Sequence, residues 1–235
     1  MDFTIRSYQS ELLDQPDIPA ADIERNMAEL AVINNKLGGH LITWTGFVRL
    51  AKKEKSTHVC EIGCGGGDNL KTIEQKAVDH YSDLSITGID INRDCIRVAE
   101  NRQWKTPHRL LVSDYRKVHF KIKPDIIFCS LFCHHFKEPE LVQMFRWMRE
   151  NSRTGFFIND LHRHPLAYYS IRFLTSLFSR SYLVKNDAPL SVLRGFKKRE
   201  LEQLLKDAGI SNFTIQWKWA FRWLVIVPTE YEHQI

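Results

Sequence analysis

Two kinds of hydrophobic pattern alternate along the middle of the chain. Short apolar runs, bounded by glycine, proline or charged residues, are typical of buried β-strands, and the longer stretches between them have the apolar spacing of amphipathic helices. Because strands and helices alternate, the pattern predicts an α/β fold with a mostly parallel sheet that helices cover on both faces. The predicted strands are 59–62, 85–90, 109–113, 125–130 and 155–159.

The two ends of the chain depart from this alternation. At the beginning, Gly38-Gly39 separates two amphipathic stretches, so two consecutive helices are predicted there. Near the other end, a helical stretch precedes two apolar runs that we expect to pair as antiparallel strands at the sheet edge. These elements are helices at about 21–37, 40–52 and 197–208 and strands at 212–219 and 222–227.

The composition is that of a globular protein with one sizeable core. The chain has 235 residues, of which 43% are hydrophobic and 26% charged, and this length needs no second domain. No apolar run approaches the roughly 20 residues that span a bilayer, and the first residues lack the apolar core of a signal peptide. We therefore expect a cytoplasmic protein, with its five cysteines reduced.

The most informative segment is the glycine-rich turn after the first predicted strand, residues 58–68. Glycines allow a sharp backbone turn and a close approach to a ligand, and the helix that follows offers free N–H groups to an anion. The second strand ends at Asp90, about twenty residues further on, where a carboxylate can accept hydrogen bonds from ribose hydroxyls. Together these features predict a pocket for a cofactor that contains adenosine.

The glycine spacing selects the kind of cofactor. A dinucleotide fingerprint needs a small residue where this chain has Asp68 or Leu70. The spacing that begins at Glu61 instead resembles the first motif of the class I S-adenosylmethionine (SAM)-dependent methyltransferases, with glycine at 63, 65 and 67. The resemblance continues through Asp90 and the segments 112–115 and 125–130, and it covers about 55–160 well.

The resemblance implies a fold, a cofactor and a set of contacts. The fold is a Rossmann-like, mostly parallel seven-stranded sheet, and the cofactor is SAM. The turn would hold the methionine portion, Asp90 the ribose, Asp114 the adenine amino group with Tyr115 beside the ring, and the end of the fourth strand would lie near the sulfonium. The implied cofactor-binding residues are Glu61, Gly63, Gly65, Gly67, Asp90, Ile91, Asp114, Tyr115, Ser130 and Leu131.

The same resemblance divides the chain into four parts within one domain. Residues 1–53 form an N-terminal helical cap, 54–160 the cofactor-binding core, 161–195 an insertion after the fifth strand, and 196–235 the C-terminal helix and strand pair. The insertion is longer than the usual connection and rich in aromatic residues. It could be a lid over the substrate pocket, an extension of the core, an interface or a membrane-surface contact.

Three side chains at the strand ends are candidate catalytic residues. His134 and His135 follow the fourth strand, at the rim where donor and acceptor should meet, and imidazole suits proton removal near neutral pH. Asp160 follows the fifth strand, with His162 and His164 beyond it. The alternatives are that the histidine pair only orients its loop and that Asp160 caps a helix.

Metal and nucleic acid are both considered and not expected. The cysteine pairs are not spaced like the C-x-x-C of structural zinc, and buried strand thiols commonly fill cores. The basic residues of the second half are interpreted as a solvated face, and no Asn/Asp-Pro-Pro-aromatic motif follows the fourth strand. The side chains considered for zinc are Cys60, Cys64, Cys129, Cys133, His134 and His135.

The predicted function is SAM-dependent methyl transfer to a small molecule, at the hydroxyl of a phenolic or polyketide-like acceptor. Segments 159–162 and 189–194 are similar to bacterial small-molecule methyltransferases of secondary metabolism. Alternatives are an amine nitrogen or a quinone ring carbon as acceptor, and a non-catalytic protein that binds SAM or another nucleotide. The sequence leaves the acceptor and the oligomeric state open.

Overall fold

The computed structural model describes residues 2–229 except 16, 53–55, 78–80 and 82. The predicted boundary at 53/54 and the predicted final residues 230–235 lie outside this part of the chain. Within it, seven strands form one sheet in the order β3-β2-β1-β4-β5-β7-β6. They are β1 (Thr57–Ile62), β2 (Leu84–Asp90), β3 (His108–Val112), β4 (Ile126–Ser130), β5 (Gly155–Leu161), β6 (Thr214–Lys218) and β7 (Arg222–Pro228).

The pairing of the strands confirms the predicted fold class. β1 to β5 pair in parallel, β7 runs antiparallel to β5, and β6 runs antiparallel to β7. The helices of the described residues are α1 (Ala20–Lys36), α2 (Gly39–Leu50), α3 (Asp68–Ala77), α4 (Arg93–Glu100), α5 (Glu138–Asn151), α6 (Pro165–Phe178), α7 (Tyr182–Arg194) and α8 (Lys198–Asp207).

The central strands are buried on both faces, as their continuous apolar sequences require. Successive residues of β4 point to opposite sides, so Ile127 and Cys129 belong to one hydrophobic cluster and Ile126 and Phe128 to the other. Phe128 stacks on Phe157 of β5 with ring centroids 4.7 Å apart. All five cysteines are buried and free. The sheet is therefore a rigid platform whose carboxyl edge carries the polar residues.

The predicted insertion consists mainly of α6 and α7, which pack against each other. Its basic residues do not form one solvated face, which corrects the sequence interpretation. Arg163 is fully buried and pairs with Glu200, and Arg194 is also buried. Both guanidinium groups bind carbonyl groups of the N-terminal segment, which Arg163 reaches at Phe3 and Thr4. The insertion thus holds the start of the chain against the sheet edge.

The sequence predicts no membrane-spanning segment, and the helices bear on that prediction. Among the described residues, no helix combines the length and the apolar character that crossing a bilayer requires.

Candidate active site

The glycine turn lies between β1 and α3 and has the backbone that its sequence predicts. Gly63, Gly65 and Gly67 have φ angles of 65°, 49° and 72°, in the left-handed region that side chains with a Cβ rarely adopt. Cys64 N donates to Ile89 O at 3.1 Å, and Gly65 N donates to Asp90 Oδ2 at 2.8 Å. The turn is therefore bound to the end of β2.

Asp90 connects the turn to the segment after β2. Its Oδ1 accepts a hydrogen bond from Asn92 N at 2.8 Å, and Asn92 itself caps the start of α4. Burial raises the pKa of Asp90, although the two backbone donors oppose that shift. Ile91, next in the chain, is 76% exposed. A carboxylate is thereby presented at the strand end with lone pairs left to accept further hydrogen bonds.

A cleft of about 190 Å³ opens beside the turn at the carboxyl edge of the sheet. It brings together residues that follow β1, β2, β3 and β4, as expected for parallel strands that end at one edge. Five predicted cofactor-binding residues lie in its wall. The lining residues are Gly63, Ile89, Asp90, Ile91, Ser113, Asp114, Tyr115, Arg116, Phe132 and Phe136.

Asp114 and Tyr115 form the wall that follows β3. The Asp114 carboxylate pairs with Arg116, whose Nη2 lies 2.6 Å from Oδ2, and this hydrogen bond lowers the pKa of Asp114. The Tyr115 ring is buried and packs edge-on against Trp147, with centroids 5.0 Å apart. The acid that was expected to meet an adenine amino group is thus already engaged by a neighbouring guanidinium.

Several polar atoms at this edge are buried without a hydrogen-bond partner in the described structure. Glu61 accepts from Asn69 at Oε1, at 3.2 Å, while its Oε2 has no partner. Ser130 Oγ and the Nε and Nη1 of Arg222 are in the same situation. Burial raises the pKa of Glu61 and lowers that of Arg222 to about 10. Unpaired buried polar groups of this kind call for a missing partner.

The N-terminal helices supply contacts to the turn that sequence reasoning missed. His40 Nε2 lies 2.6 Å from Asp68 Oδ2, and Asn34 Nδ2 donates to the same oxygen at 3.1 Å. Burial alone would raise the pKa of Asp68, but the contact with His40 outweighs it and lowers that pKa. Thr43 Oγ1 donates to Asn69 Oδ1 at 2.9 Å. Helices α1 and α2 therefore fix the first turn of α3.

The segment after β4 separates the cleft from the predicted catalytic residues. Leu131 has a φ of 53°, a strained value for a residue with a Cβ, and its N–H donates to Asn159 O at 2.9 Å. The Phe132 ring lies against Gly63, so closely that a Cβ at Gly63 would overlap it. The space beside the glycine turn is therefore taken by an aromatic ring.

His134 and Asp160 form a buried pair on the far side of Phe132. His134 Nδ1 lies 2.7 Å from Asp160 Oδ1, and Asp160 Oδ2 accepts from the backbone N–H groups of Phe132 and His134 at 3.2 and 3.3 Å. Asp160 thus binds the backbone of the turn that follows β4 and is not a helix cap. Burial would lower the pKa of His134, but the charge of Asp160 outweighs it and raises that pKa to about 9.

Two acids of the N-terminal segment complete this group, which we call the polar cluster: Glu11, Asp14, His134, His135 and Asp160. Glu11 Oε1 lies 3.6 Å from His134 Nε2, and Glu11 Oε2 lies 3.8 Å from His135 Nε2. His135 Nδ1 lies 3.3 Å from Asp14 Oδ1. Sequence reasoning missed both acids, because nothing local marks residues more than a hundred positions away as neighbours.

The polar cluster is held by two buried guanidinium groups. Arg194 Nε donates to His134 O at 3.1 Å and Nη2 to His135 O at 2.9 Å. Arg6 Nη2 donates to Phe136 O at 3.0 Å, and its Nη1 pairs with Glu138. The His134 side chain is only 3% exposed and lies between Asp160 and Glu11, so this imidazole is out of reach of a substrate. His135, whose side chain is 22% exposed, is the cluster's imidazole at the surface.

His162 lies apart from the polar cluster, beside the start of β7. Its ring packs on Trp223, with centroids 4.8 Å apart, and its Nδ1 is buried without a partner in the described structure. Burial, reinforced by Lys197, His164 and Arg163, lowers the pKa of His162 to about 4. This imidazole is therefore neutral near pH 7.

Comparison with known proteins adds independent information on this architecture. Residues 59–155, from β1 to the start of β5, match a family model described as a methyltransferase domain. A Saccharomyces cerevisiae protein, the mitochondrial ubiquinone biosynthesis O-methyltransferase, is 27% identical over 132 residues. That alignment spans 52% of this chain and 39% of the yeast protein, so it covers well under half of that relative's length.

Solved structures resemble nearly the whole chain. The plantazolicin methyltransferase BpumL in complex with SAH is 16% identical, with a TM-score of 0.65 over 93% of this chain and 92% of that one. Human N-acetylserotonin methyltransferase in complex with SAM is also 16% identical, with a TM-score of 0.62 over 90% of this chain and 56% of that one. At this identity the likeness is evidence for the fold.

Proposed function

We propose that the chain is a class I SAM-dependent methyltransferase and that it transfers the methyl group of SAM to the hydroxyl oxygen of a small phenolic or polyketide-like acceptor. The observation that carries this proposal is the position of the cleft. One wall presents Gly63 and Asp90, the opposite wall is aromatic, and the polar cluster lies directly behind Phe132. Donor and acceptor sites are thereby adjacent.

We assign the cofactor to the glycine-turn side of the cleft, defined as Gly63, Gly65, Gly67, Asp90 and Asp114. The residues fit SAM on two grounds. The turn has three glycines in the left-handed region that residues with a Cβ rarely adopt, and Glu61 and Ser130 offer buried oxygens that lack partners in the described structure. Gly65 and Gly67 shape the turn, Asp90 binds the ribose, and the buried carboxyl of Glu61 accepts from the methionine portion.

The rest of the cofactor site follows the cleft wall. Ile91 and Tyr115 give apolar surface to the adenosine, and Asp114 accepts from its amino group after sharing its carboxylate with Arg116. Ser130, the last residue of β4, and Leu131 after it would hold the sulfonium end of the cofactor. Bound SAM supplies a methyl group on a positively charged sulfur, which is an excellent leaving group. The protein therefore has to align the acceptor, exclude water and favour loss of the acceptor proton.

We assign the acceptor to the part of the cleft that Phe132 and Phe136 border, where the His135 ring lies 6.5 Å from that of Phe132. Phe132 and Phe136 pack edge-on, with centroids 4.9 Å apart, and give an aromatic acceptor a matching surface. His134 and Asp160 act as positioning residues because they already bind each other. His135 contacts the acceptor and favours its ionised form. The hydroxyl as the accepting group is supported by the O-methyltransferase among the relatives, with transfer to an amine or quinone carbon as the alternative.

The experiment that tests this function uses methyl-labelled SAM and the purified chain. Calorimetry with SAM alone comes first, because the absence of saturable binding would refute the cofactor assignment. A panel of phenols, catechols, resorcinols and amines then identifies the acceptor, and mass spectrometry locates the new methyl group. Label on oxygen supports the proposal, and label confined to nitrogen or carbon contradicts it. Saturable SAM binding without transfer to any hydroxyl compound would favour a SAM-binding protein without catalysis.

A further inference from the structure

The polar cluster contains three side chains with the composition of a metal site. The ligand atoms of Glu11, His134 and His135 all lie within 4.8 Å of one another. We propose that these three residues bind one divalent transition-metal ion of the zinc type. The sequence alone predicted no metal, since it considered the histidines only with the cysteines, and the third ligand comes from a segment more than a hundred residues away.

The distances agree with a single ion between the three groups. Two ligand atoms that each lie about 2.1 Å from one tetrahedral ion are roughly 3.4 Å apart. Glu11 Oε1 is 3.6 Å from His134 Nε2, and Glu11 Oε2 is 3.8 Å from His135 Nε2. Both separations are slightly longer than that value.

The orientation of the two imidazoles points in the same direction. A metal-binding histidine almost always donates its other ring N–H to a carboxylate, a carbonyl or water, which fixes the tautomer and strengthens the ligand. His134 Nδ1 lies 2.7 Å from Asp160, and His135 Nδ1 lies 3.3 Å from Asp14. Each ring therefore uses Nδ1 for a carboxylate and turns Nε2 toward Glu11.

The charges around the cluster also favour a cation. Three carboxylates, those of Glu11, Asp14 and Asp160, surround two imidazoles, while Arg194 lies 3.9 Å from Glu11 and 3.4 Å from Asp14 and the buried Arg222 interacts with the charge of Asp160. With both imidazoles neutral, the carboxylates outnumber these guanidinium groups, and a bound cation would offset their excess charge. A proton on His134 would also offset it, and that is the competing explanation which the experiment must exclude.

Contacts with residues other than the two histidines hold Glu11 and the segment around it in position. Ser191 Oγ donates to Glu11 Oε1 at 2.7 Å, and the N–H groups of Leu12 and Leu13 donate to Asp187 at 2.8 and 3.0 Å. Glu11 and His134 are both buried. The site is thus formed by the fold rather than by mobile surface groups.

Two histidines and one carboxylate leave at least one coordination position of the ion open. The His135 ring lies 6.5 Å from that of Phe132, which borders the cleft. The consequence of this inference rests on the proposed function: an ion here would bind an oxygen of the acceptor and favour its ionised form, so that His135 would act on the acceptor through the ion and not by direct contact. Metal binding itself can be measured without any acceptor.

The test uses the full chain, freed of metal by a chelator and titrated calorimetrically with Zn²⁺. Co²⁺ titration, followed by visible absorption, reports the coordination directly. We expect one equivalent of either ion, at least tenfold weaker binding in Glu11→Gln and in His135→Asn, and unchanged binding in His119→Asn, whose histidine is exposed and outside the cluster. Circular dichroism and SAM binding show whether each variant is folded.

Two outcomes would overturn the proposal. One is a folded parent protein with no saturable binding of Zn²⁺ or Co²⁺. The other is binding that Glu11→Gln and His135→Asn leave unchanged, which would assign the ion to other groups such as the buried thiols. In both cases SAM binding and methyl transfer are measured separately, so failure of the metal site is distinguishable from failure of the proposed function.

Discussion

The glycine-turn side and the polar cluster lie next to each other but are built in different ways. The first is made by residues that directly follow consecutive parallel strands, and its main contact, Gly65 to Asp90, joins positions within one βαβ unit. The second joins the N-terminal segment, the turn after β4, the end of β5 and α7. A site made by local motifs can be recognised from sequence, whereas one made by distant segments depends on packing.

Their electrostatics differ as well. On the glycine-turn side, charged or polar groups are buried with atoms unpaired, as at Glu61, which is suited to receiving a ligand. In the polar cluster almost every charged atom already has a partner of opposite charge. The difference predicts that substitutions on the glycine-turn side weaken SAM binding, while substitutions in the polar cluster affect the free energy of unfolding or the turnover.

The largest expected effect concerns the buried arginine that binds the N-terminal segment, the segment that supplies Glu11 and Asp14 to the polar cluster. Arg163 is fully buried, pairs with Glu200 and binds the carbonyls of Phe3 and Thr4. Arg163→Met leaves these partners unpaired, and we expect a loss of about 3–5 kcal/mol in the free energy of unfolding, measured with denaturant. The matched control is Arg153→Met, whose ion pair with Asp125 is half exposed and should contribute less than about 1 kcal/mol. Equal losses would contradict the comparison.

The next effect separates turnover from cofactor binding. His135→Ala removes the imidazole that we assign to the acceptor, and we expect roughly a hundredfold lower turnover with SAM affinity within a few-fold of the parent. The defect should shrink as the pH rises toward the pKa of a phenolic acceptor, about 10, because the acceptor then ionises unaided. His164→Ala serves as control. A parallel fall in SAM affinity would show that the two regions are not separable.

A smaller effect is expected on the glycine-turn side. Asp90→Ala removes a carboxylate that we assign to the ribose, and SAM affinity should fall by at least tenfold, corresponding to about 1.5–3 kcal/mol. Turnover at saturating SAM should change much less. Calorimetry checks the affinity, and Glu100→Ala, at an exposed acid of α4, is the control. Unchanged affinity would remove Asp90 from the cofactor site.

The contrast between the regions also explains what sequence reasoning achieved. The seven strands follow from the apolar runs, and their predicted limits agree with the structure within two residues, whereas the order of the strands in the sheet was not predicted from these runs. β5 extends two residues beyond its predicted end, since Asp160 and Leu161 pair with Trp223 and Arg222 although Asp160 is polar. Hydrophobic pattern cannot identify a buried acid whose charge is balanced by a partner from elsewhere in the chain.

The site was predictable to the same extent. The cleft gathers Gly63, Asp90 and Asp114 as expected, because parallel strands bring their carboxyl ends to one edge. Sequence reasoning placed His134, His135 and Asp160 at one rim and favoured His134 over His135 as the residue that meets the acceptor. Burial of His134 between Asp160 and Glu11 distinguishes them, and Glu11 carries no local signal. The roles of these residues remain predictions.

The smallest expected effect is a pH dependence of the free energy of unfolding that arises from His162. The pKa of His162 is lowered to about 4 by burial and by Lys197, His164 and Arg163. Between the unfolded pKa of about 6.5 and pH 4, the unfolded chain binds a proton that the folded protein refuses, so stability falls as the pH falls through this range. Because His162 is half-buried, solvent screening limits this to about 1–2 kcal/mol.

His162→Gln should abolish that part of the acid sensitivity. We expect the free energy of unfolding, measured with denaturant at pH 7 and at pH 4.5, to fall by about 1–2 kcal/mol less in the variant than in the parent. His119→Gln, which changes an exposed histidine, should behave like the parent. If the parent and His162→Gln lose the same stability, the pKa of His162 does not differ between the folded and unfolded states. The acid response then belongs to the carboxylates, whose stabilising ion pairs are lost on protonation.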